Sequence, residues 1–331
     1  MDPTLATDRR LDAPPRPRRS RRRIVAAVLT LGLAAVIVAA AAIATATLGA
    51  GRLFDRAVAK VDRLLAGPVP QRSAPVTVLV TDPPAASDAP QPTATPGPTS
   101  TPAPGASGPA QTPVPVATPT PLPARVPVDV DIVTDHKAVF AHEIKDTWCA
   151  SAGVQMTLAV LGLADNSNDF QRKLQGRVRE WESYDDSHNG DWGPSAMALA
   201  LDAYGAKGYE VRAYQTRQGA LRDAAKAIEQ TGSPVLLMAW KGAHTWVMTG
   251  FRADADPRVF SNATIVGTYI LDPWYPNNSS IWGPSDPPGT FQNDAEMVRN
   301  YLKWKRPEGH YPDRDGLFIA VVPTVVIKPV E

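Results

Sequence analysis

Of the 34 prolines in this 331-residue chain, 17 fall between residues 67 and 125, in a segment otherwise rich in Thr, Ala and Ser. Such a segment lacks the apolar content to offset its ordering entropy, and proline holds it extended. It is therefore expected to be a disordered stalk, and any packed core is confined to residues 126–331. At about 3.1 Å per residue the stalk spans on the order of 180 Å when fully extended. Its composition also matches O-glycosylated stalks.

Residues 1–23 carry eight arginines, Arg9, Arg10, Arg16, Arg18, Arg19 and Arg21 to Arg23, against three aspartates. Residues 24–51 carry no charge. A span of that length suits a bilayer, whereas a secretory apolar core is usually about 7 to 15 residues. The reading is a cytoplasmic basic tail, a single transmembrane helix and an extracytoplasmic remainder, with the arginines setting the orientation. A signal peptide cleaved near Ala44 and Ala46 is the alternative. Residues 52–66 form a juxtamembrane segment with Leu53, Val58, Val61 and Leu65 apolar. The arginines abut the apolar span, so topology rather than nucleic acid accounts for them, and the net charge of +1 implies no nucleic-acid partner.

Residues 126–331 contain all eight tryptophans and are long enough for one domain with a sizeable core. Helical patterns cover Cys149–Leu161, Pro194–Tyr204, Gln218–Gln230 and Asp294–Trp304. Strand patterns cover Tyr209–Tyr214, Val235–Trp240, Thr245–Gly250, Thr264–Leu271 and Leu317–Val322. Helices first and strands later predict an α+β domain, its antiparallel sheet packed on the first of these helices.

Cys149 is the single cysteine of the chain and cannot form an intramolecular disulfide. Val154, Leu158 and Leu161 follow at helical spacing, and Gly162 ends the helix. With Asp146 or Thr147 as N-cap, Cys149 sits in the first turn, where free N–H groups and the helix dipole favour a thiolate. His244 lies on a strand signal after the stretch Pro234–Trp240. Asp272 ends the next strand signal and is stopped by Pro273. A carboxylate there can accept the Nδ1–H of the histidine and hold its other nitrogen toward the thiol. The expectation is an accessible thiol of low pKa.

The runs Asp146-Thr147-Trp148-Cys149-Ala150-Ser151-Ala152-Gly153, His244-Thr245-Trp246-Val247-Met248-Thr249-Gly250 and Leu271-Asp272-Pro273-Trp274 resemble, in that order, the C39-like papain-type cysteine peptidases. This family includes the transporter-linked enzymes that cut bacteriocin leaders. The resemblance covers residues 126 to 323. It implies a papain-like fold, Cys149 as nucleophile, His244 as general base and acid, and Asp272 as the residue orienting the histidine. It departs at Glu143, where family members usually carry a Gln six residues before the cysteine that donates to the oxyanion. The glycine usual after the cysteine is Ala150. An ionised carboxylate cannot donate, and losing one oxyanion donor costs on the order of 10² to 10³ in rate.

His142, Trp148, Trp246 and Trp274 are candidate site-lining residues, Trp246 because it lies two positions from His244 on the same strand. The reading is a membrane-anchored extracytoplasmic thiol hydrolase acting on a peptide or protein substrate, with the cell wall a further candidate partner. No organic cofactor or metal is expected. His136, His142, His188 and His310 lack ligand spacing. The run Asp185–Gly190 imitates a calcium loop but has Ala196 at its twelfth position. Two other readings use the same groove: a catalytically silent module that binds peptide or wall polymer, and a transglutaminase-like or peptidoglycan-acting acyl transferase. Asn262 and Asn277 begin glycosylation sequons.

Overall fold

The computed structural model describes residues 123–182, 192–305 and 314–327, the backbone of Val78–Val80, and single helical positions at Gly32, Val36, Val38, Ala57, Val61 and Leu65. Apart from those positions, the expected tail, span and juxtamembrane segment lie outside the described residues. So do His188, His310 and the calcium-like loop. No helix among the described residues is long and apolar enough to cross a membrane. Contacts divide the chain into two units, Met1–Gly67 and Pro68–Glu331.

Ten strands and six helices are used below, numbered within the described residues. Strand β1 is Val78–Val80, β2 is Val128–Asp131, and α1 is His136–Val139. Helices α2 (Cys149–Val160), α3 (Asn168–Gly176) and α4 (Pro194–Ala203) follow. Then come β3 (Tyr209–Tyr214), α5 (Arg217–Thr231), β4 (Val235–Ala239), β5 (His244–Ala253) and β6 (Ile265–Leu271). A small hairpin, β7 (Asn278–Ser279) and β8 (Gly283–Pro284), precedes β9 (Thr290–Asn293), α6 (Asp294–Asn300) and β10 (Phe318–Pro323).

The main sheet runs β1-β3-β10-β4-β5-β6-β9, and β2 also pairs with β5. Every pairing in it is antiparallel except β1 with β3. Strand β1 falls within the segment expected to be a stalk, the rest of which, up to residue 122, lies outside the described residues. The β-branched run around Val78–Val80 pairs in parallel with Arg212–Tyr214, because an open sheet edge offers a ladder to any extended apolar segment.

Both faces of the sheet are covered. On one, Ala150, Val154 and Leu158 of α2 and Ala196 to Leu201 of α4 pack on Leu236, Met238, Ile319 and Val321. On the other, Ala220 to Ile228 of α5 pack on Val235, Leu237, Ala239 and the alternate residues Phe318, Ala320 and Val322. This two-sided burial explains why β4 and β10 read as unbroken apolar runs. The fold is the expected papain-like α+β arrangement, with a second helical layer behind the sheet.

Helix α2 is buried on all sides from Cys149 to Leu158, not only along the stripe of Val154, Leu158 and Leu161. The small turn Ala150-Ser151-Ala152-Gly153 makes this possible. A Cβ on Gly153 would lie 2.7 Å from Thr245 Cγ2, so the glycine allows α2 to meet β5 at van der Waals distance. The N-cap is neither Asp146 nor Thr147 but Trp148, which offers no side-chain hydrogen bond. Leu161 closes it, followed by Gly162 at φ +70°. Three further differences are local. Helix α3, capped by Ser167, was not legible as an apolar stripe. Helix α6 stops at Asn300, because Trp304 instead pairs its N–H with the Leu317 carbonyl at 2.7 Å. Strand β4 ends at Ala239, because Trp240 turns into left-handed backbone.

Alanine gains roughly 1 kcal/mol over glycine inside a helix, while overpacking a filled core costs about 1–3 kcal/mol. Gly153→Ala is therefore expected to lower the denaturant midpoint of the domain. A raised midpoint would mean that α2 and β5 are not held at this distance by packing.

Candidate active site

His244 opens β5, and Asp272 directly follows β6, the strand beside it. Antiparallel pairing of Val247 with Leu271 brings the two together, and His244 Nε2 lies 2.7 Å from Asp272 Oδ1. The carboxylate can only accept from a neutral imidazole, so Nε2 carries the proton and Nδ1 is left for the thiol. This reverses the expected roles of the ring nitrogens while keeping the pair. The aspartate is fixed in turn by the Trp274 N–H, which donates to the same Oδ1 at 2.9 Å. Both residues are buried, at 3% and 5% exposure.

Cys149 is the first residue of α2, and its Sγ, a ring nitrogen of His244 and a carboxylate oxygen of Glu143 all lie within 4.8 Å of one another. Glu143 is 2% exposed. Its segment is held by backbone and amide contacts, none of which sequence reasoning singled out. The Glu143 N–H donates to the Pro273 carbonyl, and His142 Nδ1–H donates to the carbonyls of Pro273 and Tyr275. Gln171 accepts from the Ile144 N–H and donates to the His142 carbonyl and to Gln155. His142 is thus a clamp between the oxyanion segment and the loop after Asp272. Two buried glutamines at helical positions were the available signal, since a buried amide must find partners.

The thiol departs from expectation. Burial pushes the Cys149 pKa up, and the negative charge of Glu143 adds to that rise. Hydrogen bonds from the Thr245 N–H, the Thr245 hydroxyl and the Ala150 N–H oppose it without overcoming it. Cys149 is 6% exposed and borders a cleft of about 10 Å³, space for about one water molecule. Thr245, Trp192, Met238 and Trp304 line that cleft together with His244. Accessibility and low pKa both fail for the same reason: small residues bury the start of α2 and thereby desolvate its thiol.

The aromatic cover also differs. Trp240 stacks on His244 with ring centroids 4.0 Å apart and planes at 17°, and it carries φ 51°. Lys241 (φ 62°) and Gly242 (φ +84°) continue this left-handed turn, and a Cβ on Gly242 would run into the Trp304 ring. Left-handed non-glycine residues cost about 1–3 kcal/mol each and concentrate at functional sites. Trp274 meets Trp240 edge-on at 6.3 Å, so it does line the site. Trp148, the N-cap, carries Lys145 over its ring at 5.5 Å. Trp246 packs in the core cluster of α5 instead, opposite Leu237, so the cover it was expected to provide comes from Trp240.

Glu143, Cys149 and His244 also form a set that suits zinc, with Asp272 behind the histidine. Their sequence spacing could not reveal this, because the three come from separate segments.

Alkylation of Cys149 by iodoacetamide in the native chain is expected to be slow at about pH 7 and still to be rising at about pH 9, since the reactive thiolate fraction grows about tenfold per pH unit below the pKa. A rate that levels off below about pH 7 would contradict a raised thiol pKa.

No curated protein matches this chain. One solved structure, described as a double glycine motif protease from an AMS/PCAT transporter in complex with the leader peptide, is similar at 15% identity. That alignment covers 56% of this chain and 91% of the other, with a TM-score of 0.28. The Peptidase_C39 like family matches residues 129–305, from β2 through α6 and beyond, enclosing Glu143, Cys149, His244 and Asp272. The chain belongs to the Peptidase_C39 like family and carries its cysteine peptidase domain.

Proposed function

We propose that this peptidase cleaves peptide bonds through Cys149, His244 and Asp272, from an extracytoplasmic position at the end of a membrane-anchored stalk. The supporting observation is the chain of contacts in which Asp272 fixes Nε2 of His244 while a ring nitrogen of that histidine lies within 4.8 Å of Cys149 Sγ. The anchor and its orientation rest on the arginine cluster and the uncharged run at residues 24–51.

In this mechanism Cys149 Sγ attacks the scissile carbonyl carbon while His244 Nδ1 takes the thiol proton. A helix leaves its first N–H groups unpaired, so the Cys149 N–H is available to the oxyanion. Collapse breaks the C–N bond, and the amine leaves with the proton from His244. A water molecule, deprotonated by His244, then attacks the thioester carbonyl. That step releases the carboxylic acid and returns the proton to the thiol. Asp272 keeps the imidazole oriented and stabilises its protonated form.

Glu143 works against this cycle, because its charge opposes both the thiolate and the oxyanion. The same observation favours the peptide-binding module as the second reading. Glu143→Gln is expected to raise turnover of a quenched fluorescent peptide pool by up to about 10²-fold, and to shift the alkylation profile of Cys149 toward lower pH. Cys149→Ala should abolish turnover in either background. If neither wild type nor Glu143→Gln turns over peptide or forms an acyl-enzyme with activated esters, while peptide still binds, the domain is a binding module.

For the topology, protease added to intact cells should release a fragment containing Cys149 by cutting in the proline-rich segment. Protection of that fragment until lysis would refute the extracytoplasmic placement.

A further inference from the structure

Beside the cysteine cleft lies a larger concavity of about 580 Å³. Trp304 is a wall of both, and Lys241 on its rim directly precedes Gly242, which borders the cleft. The frame between them is tied by backbone bonds: Lys305 N–H to the Lys241 carbonyl, Gly316 N–H to the Trp304 carbonyl, and Trp304 N–H to the Leu317 carbonyl. A ligand seated in the concavity is thereby held next to the turn that carries Trp240 against His244.

The charge at this place does not follow from the chain as a whole, whose net charge is +1. Arg217, Lys241, Lys303 and Lys305 surround a floor formed by Trp304 and Phe318, with Asp315 the one carboxylate of the lining among the described residues. Among the described residues, none of the three lysines takes part in an ion pair. Arg217 is fixed by its Nε–H to the Tyr301 carbonyl at 2.9 Å, and its guanidinium lies 5.2 Å from the Phe318 ring centre. The Lys303 ammonium lies 5.9 Å from the same ring. Like charges gathered around a concavity raise the local concentration of anions and relieve their own repulsion when one enters. The aromatic floor accommodates the methylene stems and apolar neighbours that peptide carboxylates carry. The volume falls within the range of about 300–1,000 Å³ typical of ligand sites.

We infer that this concavity is the specificity subsite of the peptidase proposed above, and that it takes an acidic segment of the substrate on one side of the bond presented to Cys149. The inference rests on that reading for the word substrate; the binding of an acidic peptide does not. Four cations in separate positions suit carboxylates spread along a peptide, and the shared Trp304 wall makes the seat continuous with the nucleophile.

The test uses the full chain carrying Cys149→Ala, with a fluorescein-labelled peptide containing four glutamates and its glutamine counterpart, read by fluorescence polarisation. The glutamate peptide is expected to bind at least about tenfold more tightly, with affinity falling as salt rises. Lys303→Glu with Lys305→Glu should erase the preference, and the milder Lys303→Gln with Lys305→Gln should reduce it if charge reversal impairs folding. Equal binding of the two peptides, or a preference that survives the lysine substitutions, overturns the subsite.

A second arm gives the same peptides a terminal chloroacetyl group and measures labelling of Cys149 in wild type by mass spectrometry. The acidic peptide should label at least about tenfold faster, and the lysine substitutions should remove that advantage. Acid-selective binding with both peptides labelling Cys149 at equal rates would place the site away from the scissile bond and overturn the subsite. Failure of the peptidase reading looks different: Cys149 unlabelled by both peptides and no turnover, while acid-selective binding persists.

Discussion

The close approach of α2 to β5 is the contact on which the site depends. Gly153, having no Cβ, lets Thr245 lie directly against the helix, and Thr245 is the residue after His244. Fixing that contact fixes the separation of Cys149 from His244. The sheet register does the rest, since pairing of β5 with β6 puts Asp272 at the far side of the imidazole. None of Cys149, His244 and Asp272 needs a special loop. Each stands at the end of a regular element, which gives the positional precision that loops lack.

Cys149, His244 and Asp272 were legible in the sequence because each sits at a boundary that punctuation marks: a helix start, a strand entry beside glycine, and a strand stop at Pro273. The α+β class was legible because helical and strand periods separate along the chain. The orientation of the imidazole was not, since both ring nitrogens satisfy the same sequence pattern. Nor was the burial of Cys149. A first-turn cysteine followed by Ala, Ser, Ala and Gly can be exposed or deeply packed, and what decides it here is Trp192, Met197 and Trp304, which border the same cleft from distant parts of the chain. Trp240 was hidden by its own strand-like neighbours, because a left-handed turn at a tryptophan has no local signal. The strand at Val78–Val80 was hidden by the prolines around it, although its β-branched residues are ordinary edge-strand material.

The oxyanion segment shows how a carboxylate can be kept in such a place. Gln171 of α3 bonds to it on both sides of Glu143 and is held in turn by Gln155 of α2, and His142 ties it to the loop that follows Asp272. The position of Glu143 is therefore set by the backbone around it, not by its own charge. An amide of the same shape would fit the same backbone, so the choice of carboxylate bears on chemistry rather than on folding.

That chemistry is a competition for charge. Glu143 and Cys149 both become more negative as they lose a proton, and they stand close enough that the charge on one opposes the charge on the other. His244 can neutralise either, but a protonated imidazole beside Glu143 leaves the thiol with its proton, while one beside a thiolate leaves the carboxylate charge uncompensated. The contacts among Cys149, His244 and Asp272 therefore do not by themselves make a reactive thiol here. The proton distribution among Glu143, Cys149 and His244 decides whether the same side chains act as a nucleophile or as a closed polar cluster. Removing the one acidic group that the triad does not require separates those two states.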